Sequence, residues 1–271
     1  MNCPTCGQPI AENPKLAKVA GDKVFFHSGD LGDCVAALPT IRQLGGGHLR
    51  IGHQPGVGNR ETMKGPRFDA IKPLLECQPY IASVEYNDDQ TGVTHNIALF
   101  RHDPVKFQSL AHWQAKHFGI DNLDTSPWLT LPDDQKKFHG RIVMNRTSRY
   151  QNFLFPWDQI YLFYRKQSTF VGLPTEYEDF KRLVNEALPI EPTPDLLKLA
   201  LYIDGCGLFI GNQSLPFWIA VGLGVPLIQE TYAYDANSMI QRENAIYTTD
   251  GPETRTLIYR LKDIDAKLRR K

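Results

Sequence analysis

Short apolar runs alternate with segments of helical periodicity along the first half of the chain. The run Lys23–His27 (KVFFH) follows a glycine and is typical of a buried parallel strand. The next segment repeats apolar residues every three or four positions from Val35 to Leu44 and then meets three consecutive glycines, which predicts a helix and its end. By the same criteria we predict further strands at 48–53, 81–86 and 96–100 and helices at 68–77 and 110–118.

The alternation restarts after a polar segment at residues 125–138. This segment contains Pro127, Pro132 and the run DDQKK, which predicts an interdomain connection. Beyond it the pattern predicts strands at 141–145, 168–172, 207–211 and 225–229. It also predicts helices at 157–166, 176–187, 194–203 and 215–223, and a closing helix at 254–271.

Strands that alternate with helices in this way predict parallel sheets with helices on both faces. The predicted fold class is therefore α/β, with two Rossmann-like domains that face each other across a cleft. We place an N-terminal extension at 1–22, a first domain at 23–130 and a second domain at 140–271. Both domains have an ordinary size for this class.

Composition narrows the class of protein. Hydrophobic residues make up 42% and charged residues 22% of the chain, as in soluble globular proteins. The 30 basic and 30 acidic residues cancel, so no overall charge favours a nucleic acid partner. No apolar run is long enough for an integral membrane segment, and the first residues lack the pattern of a secretory signal, so we expect a cytoplasmic protein.

Cys3 and Cys6 form a CPTCG turn that offers two thiolates to a structural zinc ion. A closed zinc site needs four ligands, and the chain has no second CxxC; only Cys34, Cys77 and His27 could complete the set. The alternative is a flexible or disulfide-closed N-terminal turn without metal.

The segment SGDLGDC, residues 28–34, lies between a predicted strand and a predicted helix. Its glycines allow a sharp turn, and carboxylates at a helix N-terminus are stabilised by the helix dipole. Ligands of open α/β sheets bind at the carboxyl ends of the strands, so Asp30 or Asp33 could face the cleft as a general base. The alternative is that one of them only caps the helix.

Two further turns carry candidate binding residues. The turn GNQSLP follows a predicted strand and opens a helix. Asn212 and Ser214 can cap this helix, and the free amides of Ser214 and Leu215 point outward and suit a diphosphate, so Gly211, Asn212, Ser214 and Leu215 are candidate nucleotide-binding residues. The alternative is an ordinary helix cap. The loop NRTSRY brings Arg146 and Arg149 to another strand end, where arginines suit an anionic ligand. The alternative is solvated surface arginines.

Four landmarks occur in a fixed order: GDLGDCVAALPTIR, an arginine-bearing loop ending in FPW, VGLPTEYEDF, and LFIGNQSLPFWIAVGLGVPLI. In this order they resemble the ADP-heptose:lipopolysaccharide heptosyltransferase family, across most of residues 24–230. The resemblance implies a GT-B fold and a metal-independent, inverting transfer of a sugar from a nucleotide-diphosphate sugar to an acceptor hydroxyl. The first domain would bind the acceptor and the second the donor, and no cofactor would be required.

The resemblance also implies roles for particular residues. Asp33 would be the general base, with Asp30 as its neighbour. Arg149 would neutralise the diphosphate and Glu176 would hold the ribose hydroxyls. The amides of Ser214 and Leu215 would bind the diphosphate.

The sequence leaves alternatives open. The family's turn GNDSGP reads GNQSLP here, and Trp218 replaces a histidine, which favours a non-catalytic nucleotide or nucleotide-sugar binding protein as the second hypothesis. A third is an interaction or nucleic-acid module led by the CPTCG turn. The acceptor could be a glycan, a lipid-linked glycan, a protein or a modified nucleic acid.

Overall fold

The computed structural model describes residues 21–57, 64–104, 109–235 and 237–248. The predicted zinc turn at Cys3 and Cys6 and the predicted closing helix at 254–271 lie outside these ranges. The first half runs, in chain order, through β1 (Lys23–His27), α1 (Leu31–Gln43), β2 (Gly47–Ile51), α2 (Pro66–Glu76), β3 (Ile81–Tyr86), β4 (His95–Asn96), a 3-10 helix (Ile97–His102) and α3 (Leu110–His117).

The second half follows a short 3-10 turn at Asp133–Gln135. Its elements, in chain order, are β5 (Ile142–Asn145), α4 (Trp157–Tyr164), a 3-10 turn (Arg165–Gln167), β6 (Ser168–Phe170), α5 (Pro174–Val184), α6 (Leu196–Asp204), β7 (Leu208–Asn212), α7 (Leu215–Leu223), β8 (Leu227–Glu230) and β9 (Ala245–Thr248). None of the helices within the described ranges is long and apolar enough to cross a membrane.

The strands form two separate parallel sheets. One has four strands in the order β3-β2-β1-β4 and the other has five in the order β6-β5-β7-β8-β9. All the strand pairs within them are parallel. The α/β class with two Rossmann-like halves is therefore confirmed. Because parallel strands end at the same edge, each sheet gathers its strand-end loops on one side.

The predicted strand at 96–100 is wrong. Only His95 and Asn96 pair with β1, and the chain then turns into the 3-10 helix. The turn buries Ile97, Ala98 and Phe100 against α3, so apolar residues that look like a strand fill a helical turn instead. β9 was not predicted, because its four residues follow a polar loop and only Thr248 is fully buried.

The two halves share part of their apolar core. One cluster of buried side chains includes residues of α1, α2, α6 and α7 from both halves. The connecting segment belongs to it: Trp128 and Leu129 are buried, and both backbone amides donate to the Gly222 carbonyl. An added Cβ at Gly222 would lie 2.8 Å from Trp128 Nε1 and from Leu129 Cδ1, so glycine lets the segment lie flat on α7. The connecting segment is therefore packed against the core, and it is more apolar than the polar connection that the sequence predicts.

Candidate functional site

The turn between β1 and α1 places two aspartates at the N-terminus of α1. Asp30 occupies the N-cap position with extended backbone, but its side chain makes no capping hydrogen bond. Asp33 lies in the first turn and its carboxylate forms an ion pair with Arg101. Asp30 is therefore not a side-chain cap, whereas the Asp33 carboxylate accepts a hydrogen bond from the Asp30 backbone amide. Both carboxylates sit where the helix dipole stabilises negative charge.

The Asp33 carboxylate lies in a tight, mostly buried setting. An added Cβ at Gly29 would lie 2.7 Å from Asp33 Oδ2, so the residue that packs under the carboxylate has to be a glycine. Burial raises the pKa of Asp33, while the Arg101 guanidinium opposes that rise. Gln114 Nε2 donates to the Asp33 carbonyl at 3.1 Å and fixes the backbone. A carboxylate with a raised pKa is a stronger base than an exposed one.

His27 ends β1 directly beneath this turn and is fully buried. Its Nδ1 accepts a hydrogen bond from the Gly29 amide at 2.8 Å and lies 3.4 Å from Cys34 Sγ. Burial and the neighbouring Arg101 lower the pKa of His27 to about 3. The imidazole is therefore neutral at physiological pH and supports the turn through its ring nitrogen.

The turn GNQSLP brings the N-terminus of α7 against that of α1. Ser214 caps α7 by accepting a hydrogen bond from the Phe217 amide, and Pro216 has no N–H to offer. Within the described residues the amides of Ser214 and Leu215 donate to no protein group. A Cβ added at Gly32 would lie 3.7 Å from Leu215 Cα, so the positive ends of two helix dipoles meet here.

The two remaining predicted residues of this turn lie below its surface. Gly211 is buried, and an added Cβ would lie 2.9 Å from the Asn145 carbonyl oxygen. Asn212 is also buried and donates to the carbonyls of Thr147 and Arg149, at 3.1 and 2.6 Å. Both residues position the arginine loop on the turn instead of facing outward.

Arg149 reaches across to the first half. One of its terminal nitrogens lies 3.8 Å from Asp30 Oδ2, and about half of its side chain is exposed. Arg67 approaches the other Asp30 oxygen at 3.9 Å. The contact brings the loop after β5 beside the turn after β1, although these segments are more than a hundred residues apart in sequence.

Arg146 points the other way, into the protein. Its guanidinium forms a double hydrogen bond with Glu230, at 2.9 and 3.0 Å, and both side chains are buried. Glu230 also accepts from the Asn152 amide and from Trp157 Nε1. Burial raises the pKa of Glu230, and Arg146 opposes that rise. The structure thus uses Arg146 to hold the loop in place and turns its charge away from the surface.

Glu176 sits in the first turn of α5, at the end of β6. Its Oε2 accepts from the Leu173 amide at 2.9 Å, and its carboxylate is also hydrogen-bonded to Asn145. Burial raises the pKa of Glu176. Ser214 Oγ donates to Asn145 Oδ1 at 2.9 Å, so Asn145 connects Glu176 to the cap of α7.

The predicted site residues therefore fall into two groups. Asp30, Asp33, Arg149 and the Ser214–Leu215 amides meet where the two halves touch, with Glu176 linked to them through Asn145. Arg146, Gly211 and Asn212 lie underneath as supports. The sequence does not point to Arg101 or Asn145: the first lies just beyond the predicted strand at 96–100, and the second carries no motif beyond its place at the end of β5.

The fold and these paired turns define a two-domain α/β protein of the GT-B type. No family model matches the chain, and no curated protein matches it in sequence. Among solved structures it is similar to the glycosyl transferase family 9 protein from Veillonella parvula DSM 2008, at 14% identity over 92% of this chain and 91% of that one, with a TM-score of 0.58.

Two E. coli enzymes show the same likeness. Heptosyltransferase WaaC with ADP aligns over 90% of this chain and 100% of its own, at 11% identity and a TM-score of 0.59. ADP-heptose lps heptosyltransferase II aligns over 89% and 98%, at 10% identity and a TM-score of 0.54. The predicted resemblance to the heptosyltransferases is thus confirmed at the level of the fold. In the described ranges, no group of three or more His, Cys, Asp or Glu could hold a metal ion.

Proposed function

We propose that this protein is a glycosyltransferase that moves a sugar from a nucleotide-diphosphate sugar to an acceptor hydroxyl, with inversion and without a metal ion. One observation carries the proposal: the contact between Arg149 and Asp30, which sets a carboxylate-bearing helix end beside a basic loop and a second helix end. The candidate base for the acceptor hydroxyl therefore lies beside positively charged and positively polarised groups that can bind a diphosphate.

Asp33 is the general base in this proposal. Its buried carboxylate has a raised pKa, which favours proton uptake from the acceptor hydroxyl. Arg101 and Gly29 hold it in one orientation. The acceptor oxygen then bonds to the anomeric carbon from the face opposite the nucleotide, and the bond from that carbon to the diphosphate oxygen breaks.

The second half stabilises the departing nucleoside diphosphate. The Ser214 and Leu215 amides lie at the positive end of the α7 dipole and suit phosphate oxygens. Arg149 adds a positive charge from the loop after β5, beside Asp30. Glu176 binds the ribose hydroxyls from the end of β6, where its carboxylate is linked to the α7 cap through Asn145.

A second candidate is a non-catalytic nucleotide-sugar binder on the same fold. The observation that favours it is Leu215, whose side chain packs against the core where the resembling family has glycine. Both candidates bind a nucleotide-sugar, but only the first transfers the sugar.

The test combines binding and transfer. A thermal-shift screen against ADP-, UDP-, GDP- and CDP-sugars identifies the donor, because selective binding stabilises the folded protein. Release of nucleoside diphosphate is then measured with a panel of free glycans as acceptors. We expect Asp33→Asn to lower the rate by about 100- to 10,000-fold while donor binding is retained, because an amide cannot accept the proton.

Asp30→Asn is the comparison variant: it removes the neighbouring carboxylate that pairs with Arg149, so it should change donor affinity and leave the base in place. Near-full transfer by Asp33→Asn together with loss in Asp30→Asn would mean that the other carboxylate is the base. A wild-type protein that binds a donor and transfers to no acceptor would favour the non-catalytic candidate.

A further inference from the structure

Three tyrosines form an aromatic strip beside the proposed site. The Tyr150 and Tyr232 rings are 5.9 Å apart and the Tyr232 and Tyr234 rings 5.4 Å apart, between centroids. The Arg149 guanidinium lies over the Tyr150 ring at 5.3 Å. The strip therefore begins at the arginine assigned to the diphosphate and runs outward to Tyr234, which is 89% exposed.

The GNQSLP turn holds this tyrosine strip in place. Tyr150 has a positive φ of 52°, a conformation that is unfavourable for a non-glycine residue and needs support from its surroundings. The preceding carbonyl, of Arg149, accepts from Asn212. Gln213 holds the segment 232–235 at both ends, since its side chain accepts from the Tyr232 backbone amide at 2.8 Å and donates to the Asp235 carbonyl at 2.6 Å.

The strand order decides what the tyrosine strip faces. Glu176 follows β6, whereas Tyr232 follows β8, three strands away in the order β6-β5-β7-β8. At a strand spacing of about 4.8 Å the two ends are about 14 Å apart. With the ribose at Glu176 and the diphosphate between, the nucleobase lies on the β6 side and the strip lies on the sugar side.

The strip also borders the first half, where the acceptor is expected. Just beyond it, the Leu110 amide donates to the Asn237 carbonyl at 2.6 Å, and Ser109 pairs with Ser238. The segment after β8 thus connects the tyrosines to the start of α3. Arg149 and Asp30 make another connection between the halves.

We propose that Tyr150, Tyr232 and Tyr234 form a subsite for a pyranose ring, which lies with its apolar C–H face on the rings. Aromatic side chains bring large apolar surface together with a polar hydroxyl, which matches the apolar face and equatorial hydroxyls of a sugar. The ring belongs either to the transferred sugar or to a glycan acceptor. The proposal rests on the proposed function, because Glu176 and the α7 amides define which side of the site is the sugar side.

The first arm of the test is calorimetric titration of the full chain with UDP, ADP and GDP and with UDP-glucose, ADP-glucose and GDP-mannose. The variants are Tyr232→Ala, Tyr232→Phe and Tyr234→Ala. The control is Phe163→Ala, which removes another exposed aromatic ring of the same half, on α4. If the donor sugar occupies the strip, the alanine variants lose about ten-fold affinity for the nucleotide-hexose and none for the bare diphosphate.

The second arm is binding of the same proteins to a glycan array. If an acceptor glycan occupies the strip, the array signal falls in the alanine variants, survives in Tyr232→Phe and Phe163→Ala, and donor affinity is unchanged. Either pattern supports the subsite. Unchanged binding in both arms overturns it, and so does an equal loss for bare diphosphate and nucleotide-hexose, which would mean base stacking.

The two proposals fail in different ways. If the wild-type protein binds no nucleoside diphosphate, the proposed function falls and the glycan array alone decides the subsite. If nucleotide binds but no tyrosine variant changes either arm, only the subsite falls. Tyr234→Ala guards against misfolding as the cause of a loss, because its ring is almost wholly exposed.

Discussion

His27→Asn tests the architecture under the proposed base through the pH dependence of stability. His27 has a pKa of about 3 in the folded protein, against an ordinary value of 6.5. Between these values the unfolded chain binds a proton that the folded protein refuses, so stability is lost as the pH falls below 6.5. Asparagine keeps an oxygen near the position of Nδ1, which can still accept from the Gly29 amide.

The size of the effect follows from the linkage relation. Lowering the pH from 7 to 5 costs about 2 kcal/mol of unfolding free energy through this one imidazole, since each pH unit below 6.5 contributes about 1.4 kcal/mol. Urea unfolding at pH 7, 6 and 5 should therefore show a steeper loss for wild type than for His27→Asn. Titratable groups that both proteins share contribute equally to the two pH dependences. The difference between the slopes therefore reports His27, whatever stability the variant loses at pH 7.

His48→Asn is the matched control, because it removes a surface ring that is hydrogen-bonded to Ser83. It leaves His27 in place, so the loss of stability assigned to that buried imidazole should remain. Parallel stability curves for wild type and His27→Asn between pH 7 and 5 would refute the reasoning. They would mean that the His27 imidazole can be protonated while the protein stays folded. The turn beside Asp33 would then be less rigid than its packing indicates.

Two other substitutions probe the supports of the site. Gly29→Ala should lower transfer at least ten-fold, because its Cβ would lie 2.7 Å from Asp33 Oδ2 and 2.5 Å from His27 Cε1. The accompanying fall in Tm should be small. Gly32→Ala is the kinetic control, since the nearest contact of its Cβ would be 3.4 Å away. Arg146→Met should lower the free energy of unfolding by about 3–5 kcal/mol in urea, because it leaves the buried Glu230 without its partner. The double variant Arg146→Met/Glu230→Leu should recover part of that loss, and equal stability of single and double variants would contradict the role of the pair.

The strand–helix alternation was predictable because it depends on local sequence. The strand at Ile81–Tyr86 and the helix at Leu215–Leu223 have the predicted bounds, since each is an apolar run with clear ends. Residues 96–100 show the limit of this reasoning. The same apolar pattern suits a strand or a buried 3-10 turn, and packing against α3 decides between them.

The site was only partly predictable, because its roles depend on contacts between distant segments. Arg146 and Arg149 look equivalent in the sequence, as two arginines of one polar loop. A carboxylate that lies 84 residues further on takes Arg146 into the interior, and Arg149 is left to reach Asp30. No local signal distinguishes the two arginines. Arg101 was missed for the same reason, because only the fold brings it to Asp33.

Gln213, which stands where the resembling family has aspartate, has a structural role in the GNQSLP turn. Gln213 accepts from the Tyr232 amide and donates to the Asp235 carbonyl, so it uses both functions of its amide group. An aspartate could accept the first bond, but its ionised carboxylate would face the second carbonyl without a proton to donate. In this chain the turn therefore needs glutamine to hold the segment that carries Tyr232. Ser214 remains as the cap of α7, and the Ser214 and Leu215 amides stay at that helix end. The glutamine alone is therefore no argument for a non-catalytic protein, and the weight of that alternative falls on Leu215 and Trp218.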